Sequence, residues 1–175
     1  EYVPMFKVSS FELTDHKLLA YIGQFDKDVI LSTGMSNMAN IRASIQVLGG
    51  TEKVAYLLHC TSAYPAPINE ANLLSMRLLQ TIPGMSSKTG LSNHTLSIAV
   101  PVAAVALGAK FIECHFTDDR ARVGPDHRVS LEPSEFKLMV KMAGEVHRAM
   151  GSKTKNPMPS EKSMMKTAQS GERRF

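Results

Sequence analysis

The stretch that decides the fold is Lys88–Thr117, with the sequence KTGLSNHTLSIAVPVAAVALGAKFIECHFT. It reads as a strand, a helix and a second strand, and a crossover of this kind lays its two strands parallel and usually side by side. His94 follows the first strand and His115 ends the second. We therefore expect both imidazoles at the same end of the sheet, within reach of one another.

Two neutral imidazoles that converge at the carboxyl ends of parallel strands can begin a divalent metal site. A lone histidine after a strand is more often a hydrogen-bonded structural residue, so this interpretation depends on the pairing of His94 with His115. Side chains two residues apart in a strand share a face, which sets Ser92 beside His94 and Glu113 beside His115. A carboxylate in that position can orient a ligating imidazole or a metal-bound water.

Outward from this stretch, the strand–helix rhythm occurs five times along the chain. The predicted strands are the apolar runs Met5–Val8, Asp28–Leu31, Lys53–Cys60, Lys88–Ser92 and Lys110–His115. Helices are predicted to begin after Thr14 and Ser36, at Asn69 and Leu96, and at Pro133. Near-continuous apolar strands are typical of parallel strands buried on both faces, which fits an open doubly wound sheet or part of a (β/α)8 barrel. No GxGxxG or GxxxxGK[ST] motif follows a strand, which argues against a dinucleotide or P-loop site.

The composition is that of a globular protein with a mildly basic surface. The chain has 175 residues, of which 43% are hydrophobic and 21% charged, with a net charge of +4 and a pI near 9.1. Much of the basic excess lies after Gly151, and we predict that residues 152–175 form a basic, poorly structured tail. Aromatic residues make up 6% and no stacking motif is interleaved with the basic residues, so we expect no nucleic-acid partner.

Cysteine usage points to a reducing compartment. Cys60 and Cys114 lie inside apolar strands and lack the spacing of a zinc site, so they fit small core residues. The sequence shows no signal peptide and no apolar run long enough to span a bilayer. We therefore expect a cytoplasmic protein with no membrane partner.

Hydroxyl groups recur where the strands end. The polar residues at these positions are Lys7, Ser10, Glu12, Ser32, Thr33, Thr61, Ser62, Tyr64, Ser92 and Glu113, with Asp126 in the loop after the last strand. Serine and threonine after a strand are also common turn formers. A ring of hydroxyls with one lysine can bind phosphate and carboxylate oxygens, so we expect a pocket for a small, doubly anionic molecule beside the metal.

Six motifs carry a resemblance to a known family. They are KVSSFE at 7–12, ILSTGMS at 30–36, LLHCTSAYP at 57–65, GLSNHT at 90–95, AVALGAKFIECHFT at 104–117 and GPDHRVSLEP at 124–133. In this order they resemble the sialic acid synthase family, which comprises the N-acetylneuraminate synthases and their relatives that make nonulosonic acids. The resemblance covers about residues 5–151.

The resemblance implies a TIM-barrel catalytic domain. Such a domain condenses phosphoenolpyruvate with an N-acylated hexose, typically N-acetylmannosamine or its 6-phosphate, to give a sialic acid-type product, and it releases phosphate. The resemblance also implies a divalent metal cofactor, usually Mn²⁺, with Mg²⁺ or Co²⁺ as alternatives. The expected partners are therefore these small-molecule substrates.

Site residues follow from the resemblance position by position. His94 and His115 match the two histidines that bind the metal in the family, and Glu113 matches an acidic residue near the metal-bound water. Glu12 matches an acidic residue at the reaction centre and is the expected catalytic residue, while Asp126 matches a contact to a sugar hydroxyl. The matches to the phosphoenolpyruvate site are Lys7, Ser10, Ser32, Ser62, Tyr64 and Ser92, of which Tyr64 is also expected to contact the sugar.

The sequence departs from the family pattern at three positions and in extent. Asn93 stands where members often have Asp, Cys114 where they often have Lys, and Ser62 where some have Asn. Family members also carry three barrel strands before the first of these motifs and a small antifreeze-like domain after the barrel. We therefore expect residues 1–151 to be a partial barrel of five βα units, the carboxyl-terminal part of a larger synthase catalytic domain.

A partial barrel leaves two open sheet edges. We therefore expect the chain to be inactive alone, or to need a complementary segment or self-association as a homo-oligomer. Two other functions stay open at this stage. One is another phosphoenolpyruvate-condensing, aldol-type barrel enzyme, which product analysis with different aldehydes would identify. The other is a non-catalytic remnant that acts as a binding or assembly module, in which metal binding would not depend on His94 and His115.

Overall fold

One sheet of five parallel strands, in the sequential order β1 to β5, forms the centre of the molecule. The structure is a computed structural model and describes residues 2–169. The strands are β1 Met5–Val8, β2 Asp28–Ser32, β3 Val54–Cys60, β4 Thr89–Asn93 and β5 Ile112–Cys114. The helices are α1 His16–Ile22, α2 Met38–Leu48, α3 Ser75–Gln80, α4 Ala99–Ala106, α5 Pro133–Ala149 and α6 Lys162–Gln169. The predicted rhythm of five βα units is therefore confirmed.

The sheet is strongly curled. In a flat sheet, four strand spacings would separate β1 from β5 by about 19 Å, which is more than two side chains can bridge. Lys7 on β1 nevertheless places its Nζ 3.3 Å from Oε2 of Glu113 on β5. The two edges therefore face each other across a concave inner surface. This is the geometry of a partial (β/α)8 barrel, and it excludes the open doubly wound sheet.

Helices α1–α5 pack on the convex outer face of the sheet. The largest apolar cluster joins β1–β3 to α1 and α2, and its fully buried leucines include Leu19, Leu31, Leu48 and Leu57. Smaller clusters join β4 to α3 and α4, and then α4 to α5. Full burial of one such leucine contributes about 1.5–3 kcal/mol to folding. This outer core supports the strands, and the polar side chains of the inner face lie at their carboxyl ends.

Two helices begin one residue later than predicted. Asp15, rather than Thr14, caps α1, because its carboxylate accepts hydrogen bonds from two backbone N–H groups. Asn37, rather than Ser36, caps α2 through its side-chain oxygen. Carboxylate and amide oxygens adjoining the first turn satisfy these donors as well as the predicted hydroxyls would have done. α2 ends at Gly49, whose φ of 116° lies in the left-handed region.

Two other helices begin several residues later than predicted, for local reasons. Asn72 has a φ of 40°, and this left-handed conformation interrupts the helix predicted to begin at Asn69, so that α3 begins later. The helix predicted from Leu96 begins at Ala99 instead. The hydroxyl of Ser97 accepts the backbone N–H of Ala99 at 3.2 Å, which is a turn contact that competes with an earlier helical start.

The tail contains more regular structure than predicted. Residues 152–158 form neither helix nor strand, but a short 3-10 turn at Pro159–Glu161 leads into α6. The Glu161 carboxylate accepts the backbone N–H of Met158 at 2.5 Å, which favours a helical start at this point. The prediction of a poorly structured tail therefore needs correction for α6, and residues 170–175 lie outside the described part. Among residues 2–169, no helix is both long and apolar enough to cross a membrane.

Candidate active site

Side chains from four strands form one polar network on the inner face. Lys7 Nζ donates to Ser32 Oγ at 2.8 Å and lies 3.3 Å from the Glu113 carboxylate. Ser92 Oγ donates to the other oxygen of Glu113 at 2.7 Å. We call these four side chains the anion floor. They bring together one cation, one carboxylate and two hydroxyls from residues that are distant in sequence.

Two further predicted hydroxyls meet beside the anion floor because a glycine leaves room for them. Ser10 Oγ accepts the backbone N–H of Gly34 at 2.9 Å. A Cβ atom on Gly34 would lie 2.1 Å from Ser62 Oγ and 2.9 Å from Ser10 Oγ. Gly34 therefore allows the hydroxyls that follow β1 and β3 to approach the loop after β2. The sequence interpretation assigned no role to this glycine, although it lies inside the ILSTGMS motif.

The two strand-end histidines lie close together, as the crossover geometry requires. The ring centroids of His94 and His115 are 5.3 Å apart. The ring of Tyr64 lies against both, with centroids 4.2 Å from His94 and 5.6 Å from His115. Ser92 and Glu113 precede these histidines by two residues, so the ring cluster adjoins the anion floor on the same rim.

His94 presents one ring nitrogen to the protein. Its Nδ1 lies 2.9 Å from the carbonyl oxygen of Thr61, so a neutral ring that donates from Nδ1 keeps a lone pair on Nε2. Burial acts to lower the pKa of His94. Hydrogen bonds to Cys60 and the Thr61 carbonyl, with the nearby charge of Glu113, outweigh burial and raise this pKa. A backbone partner of this kind fixes the orientation of a ligating imidazole.

Cys60 lies beside this ring, with its Sγ 3.7 Å from His94 Nδ1. Burial acts to raise the pKa of the Cys60 thiol. Hydrogen bonds from His94, Ser10 and Ser62 outweigh burial and leave that pKa below its usual value. The thiol therefore adds to the polar character of the rim next to the hydroxyl pair.

The remaining predicted site residues lie in loops. Asp126 Oδ2 is 4.0 Å from His115 Nδ1, and the Asp126 side chain is 63% exposed. Glu12 accepts a short hydrogen bond from Ser9 in the turn after β1. Within residues 2–169, no hydrogen bond joins Glu12 to Lys7 or to either histidine. The structure thus brings Asp126 to the ring cluster and pairs Glu12 with Ser9 in the turn after β1.

The donor set fits a divalent metal in part. Two imidazoles are suitable ligands for such an ion. Among the described residues, however, no group of three or more His, Cys, Asp or Glu side chains is arranged to hold a metal. A catalytic metal keeps positions open for substrate or water, and two histidine ligands would leave several. His94 and His115 could therefore hold a metal together with oxygen ligands from bound molecules or from outside this part of the chain.

Two departures from the expected sequence pattern have local structural roles. The side chain of Asn93 accepts the backbone N–H of Thr95 at 3.2 Å and so closes the turn before α4. Cys114 points to α5, where its Sγ lies 3.6 Å from Met139 Sδ. Burial raises the pKa of Cys114 to about 11, so this thiol stays neutral and adds no charge to the site.

Comparison with known proteins identifies the family to which this chain belongs. The profile of the NeuB family matches residues 1–155. The chain belongs to the NeuB family. Over 160 residues it is 42% identical to the N,N'-diacetyllegionaminic acid synthase of Campylobacter jejuni, covering 90% of this chain and 47% of that protein. Over 163 residues it is 37% identical to the N-acetylneuraminate-9-phosphate synthase of Mus musculus, covering 91% of this chain and 44% of that protein.

A solved structure agrees with the curled-sheet architecture of this NeuB-family chain. The N-acetylneuraminic acid synthetase of Leptospira borgpetersenii, solved with citrate, superposes with a TM-score of 0.86 at 30% sequence identity. The superposition covers 99% of this chain and 60% of that one. The chain thus spans about half the length of the curated relatives it matches. The predicted family and the predicted barrel class are both confirmed.

Proposed function

We propose that the chain belongs to the catalytic barrel of a synthase that joins phosphoenolpyruvate to an N-acylated hexose. The product would be a sialic acid-type nonulosonic acid, with release of phosphate. The observation that carries this proposal is the anion floor lying beside the His94, His115 and Tyr64 ring cluster on one rim. An anion-binding surface next to a metal-type histidine pair suits a substrate with phosphate and carboxylate groups that reacts at a carbonyl.

Phosphoenolpyruvate would bind on the anion floor and the hydroxyls beside it. Lys7 supplies a cation, and it is already oriented by Ser32 at 2.8 Å. The other groups proposed to contact the phosphate and carboxylate are the hydroxyls of Ser10, Ser32, Ser62, Tyr64 and Ser92. Donors fixed before the substrate arrives stabilise charge without reorganising during the reaction. Glu113 now contacts Lys7, so an arriving anion would compete for that contact.

A divalent metal, Mn²⁺ in the first instance, would bind to His94 and His115, with Glu113 next to its water. When bound, the metal ion supplies Lewis-acid polarisation of the sugar aldehyde. Thr61 holds the His94 ring through its carbonyl at 2.9 Å, which keeps that ligand oriented. Tyr64 and Asp126 would contact the sugar, since both adjoin the histidine rings.

The proposed reaction forms one carbon–carbon bond and one carbon–oxygen bond, the latter from water, and it breaks the carbon–oxygen bond to phosphate, which leaves with the remaining hydroxyl proton. The methylene carbon of phosphoenolpyruvate bonds to the aldehyde carbon, water adds to the former enol carbon, and the bond to phosphate then breaks. Glu12 would give a proton to the aldehyde oxygen and take one from the water. Lys7 and the hydroxyls would hold the phosphate until it leaves.

We also propose that this activity needs more than the present five units. Within the described residues, β1 and β5 each pair with one neighbouring strand, so both edges of the sheet are open. A complementary segment or a second copy of the chain would have to close the site. Cys60 and Cys114 are both free thiols, which suits the reducing conditions of the cytoplasm, where we place the enzyme.

Metal binding by the chain tests the centre of this proposal. Free Mn²⁺ is measured by electron paramagnetic resonance during titration of the wild-type chain and of a His94→Ala/His115→Ala variant. We expect the double variant to lose at least tenfold in affinity, as two of the ligands are gone. His147→Ala, which changes an exposed histidine on α5, is the matched control and should bind like the wild type. Equal Mn²⁺ affinity in all three chains would refute the metal site.

Turnover tests the requirement for a partner. The chain is incubated with Mn²⁺, phosphoenolpyruvate and N-acetylmannosamine, and phosphate release is followed together with product mass. We expect no product from the chain alone and product once a complementary barrel segment is added. Robust turnover by the monomeric chain would contradict the need for completion while supporting the proposed chemistry.

A further inference from the structure

The loop that carries Asp126 is closed at its base. This loop, residues 117–130, is called the Asp126 loop below. Phe116 and Leu131 pair across its two ends as an isolated bridge. The Thr117 N–H donates to the Leu131 carbonyl at 3.0 Å, and the Leu131 N–H donates to the His115 carbonyl at 2.9 Å. Both ends of the loop therefore lie beside the short segment that follows β5, next to His115.

One histidine ties the tip of the loop back to its base. His127 Nδ1 lies 2.7 Å from Thr117 Oγ1, so an N–H···O or O–H···N bond joins them in either tautomer of the ring. Thr117 is 4% exposed, which shields this bond from water. The ring also packs on Gly124, where a Cβ atom would lie 2.7 Å from His127 Cδ2. His127, which follows Asp126, thus contacts two residues that precede Asp126 in the loop, Thr117 and Gly124.

The backbone around Asp126 is held by the same turn. Ser130 Oγ donates to the Asp126 carbonyl at 2.7 Å, and the Val129 N–H donates to that carbonyl at 3.1 Å. The side chain of Asp126 is largely exposed and ends 4.0 Å from His115. An exposed carboxylate on a loop would sample many positions if its backbone were free, and binding would then have to order it.

We propose that His127 is a positioning residue, whose bond to Thr117 fixes the Asp126 carboxylate beside His115 for contact with the hydroxyls of the acceptor sugar. The inference rests on the proposed function, since it needs Asp126 to meet an N-acylated hexose. Thr117 follows His115 by two residues, so the bond sets the loop directly against the strand end that carries the histidine. Loss of the bond weakens binding of the sugar and leaves phosphoenolpyruvate and metal binding unchanged.

Arg120 anchors the same loop in a different direction from His127. Arg120 Nε donates to the Ser130 carbonyl at 2.8 Å, and its guanidinium pairs closely with Glu135 on α5. Arg120 therefore fastens the loop to the outer helix. His127 fastens it to Thr117, on the side of the histidine pair. Loosening each anchor should have a different consequence, because only the bond of His127 to Thr117 sets the distance between Asp126 and His115.

The test compares three variants of the full chain, with N-acetylmannosamine, phosphoenolpyruvate and Mn²⁺ as probes in separate titrations followed by NMR or paramagnetic resonance. His127→Phe keeps a ring over Gly124 and removes the hydrogen bond. His127→Asn retains a polar atom near the position of Nδ1. Arg122→Ala is the matched control, because Arg122 pairs with Asp118 at 2.7 Å on the exposed side of the same loop.

We expect His127→Phe to bind N-acetylmannosamine about tenfold more weakly, the size of effect that one hydrogen bond gives. Its affinities for phosphoenolpyruvate and Mn²⁺ should stay within twofold of the wild type. His127→Asn should recover most of the loss, and Arg122→Ala should match the wild type. Unchanged sugar affinity in His127→Phe, or equal losses in Phe and Asn, would overturn the proposal.

Amide hydrogen exchange separates this inference from the proposed function. The Ser130 N–H donates to the His127 carbonyl at 3.2 Å, and the Val129 N–H lies in the same turn. We expect both amides to exchange faster in His127→Phe than in the wild type and the Asn variant. If the wild-type chain binds no N-acyl hexose even with the complementary barrel segment added, the proposed function fails. Equal exchange in wild type and His127→Phe would in that case also reject the role of His127.

Discussion

The anion floor and the Asp126 loop lie on the same rim but are held in different ways. The floor consists of side chains on strands, whose positions are set by four parallel strand pairings and by bonds such as Lys7 to Ser32. The Asp126 loop depends on side-chain bonds, chiefly His127 to Thr117 and Arg120 to Glu135. We infer that the two regions bind different substrates. In the proposed reaction, phosphoenolpyruvate would bind to a surface that the strands hold fixed. The acceptor sugar would bind to a loop whose position a small number of substitutions is enough to change.

The largest effect should come from removing the cation of the floor. Lys7→Met deletes the ammonium group that contacts Ser32 and Glu113. We expect phosphoenolpyruvate affinity to fall about 10- to 150-fold, the range for hydrogen bonds to a charged group. Calorimetric titration measures the loss. Binding of N-acetylmannosamine should change far less, which would sharpen the division between floor and loop.

A surface lysine provides the control for this substitution. Lys141 on α5 has a side chain that is 71% exposed and lies 4.0 Å from Glu145. Lys141→Met removes the same charge from the chain, so it reports any effect of net charge alone. If Lys7→Met and Lys141→Met weaken phosphoenolpyruvate binding equally, the anion floor is not the binding site for phosphoenolpyruvate.

The next effect should come from crowding the hydroxyl pair. In Gly34→Ala the new methyl group would lie 2.1 Å from Ser62 Oγ, so the serine must rotate away. We expect a loss of about 1–3 kcal/mol in the free energy of unfolding, as for other overpacked sites, together with weaker phosphoenolpyruvate binding. Urea denaturation and titration of the ligand measure the two losses.

A second glycine gives the opposite expectation. Gly144 lies within α5, and the nearest atom to a Cβ there is a nitrogen of Arg148 at 3.6 Å. Gly144→Ala should therefore stabilise the chain by about 0.5–1 kcal/mol, because it restricts the unfolded state without a clash. If Gly34→Ala is as stable as Gly144→Ala, the close approach at Gly34 is not a constraint.

The same contrast explains how much of the molecule could be predicted from its sequence. Apolar runs and turn residues were sufficient to predict the five strands to within two residues at each end. Because parallel strands end on one side, the meeting of His94 and His115 could also be expected. These features depend on the spacing of apolar residues and on the direction of successive strands, and the sequence pattern shows both.

Features that depend on the curvature of the sheet and on loop shape could not be predicted from sequence patterns. The contact between Lys7 and Glu113 exists because the sheet curls, and no local pattern gives the degree of curl. The packing of Ser62 on Gly34 and of His127 on Gly124 depends on backbone approaches within loops. Glycines inside quoted motifs were the available signal, since a residue without Cβ often marks such an approach.

The smallest expected effect is on the pH dependence of stability, and it concerns the loop after β3, which a histidine also contacts. His59 on β3 has its Nε2 2.8 Å from the carbonyl of Ala71, in the segment before α3. Burial lowers the pKa of His59, and the hydrogen bond to Ala71 offsets this only in part. The folded chain therefore resists protonation of His59, whereas the unfolded chain takes up a proton near pH 6.5. Stability from this group is complete above about pH 6.5 and falls as the pH drops below that value.

His59→Gln isolates this contribution, because glutamine can keep a donor to the Ala71 carbonyl and does not titrate. Urea midpoints are measured from pH 7.5 to pH 5 for both chains, and the difference between them cancels the other ionisable groups. We expect the wild type to lose more stability than the variant as the pH falls, by less than the effect of Gly34→Ala. Parallel curves would mean that His59 takes up its proton in the folded chain as easily as in the unfolded one. The loop after β3 would then gain no pH-dependent stability from His59, and the hydrogen bond from the Thr61 hydroxyl to the Glu70 carbonyl at 2.9 Å would remain as a side-chain contact that does not titrate.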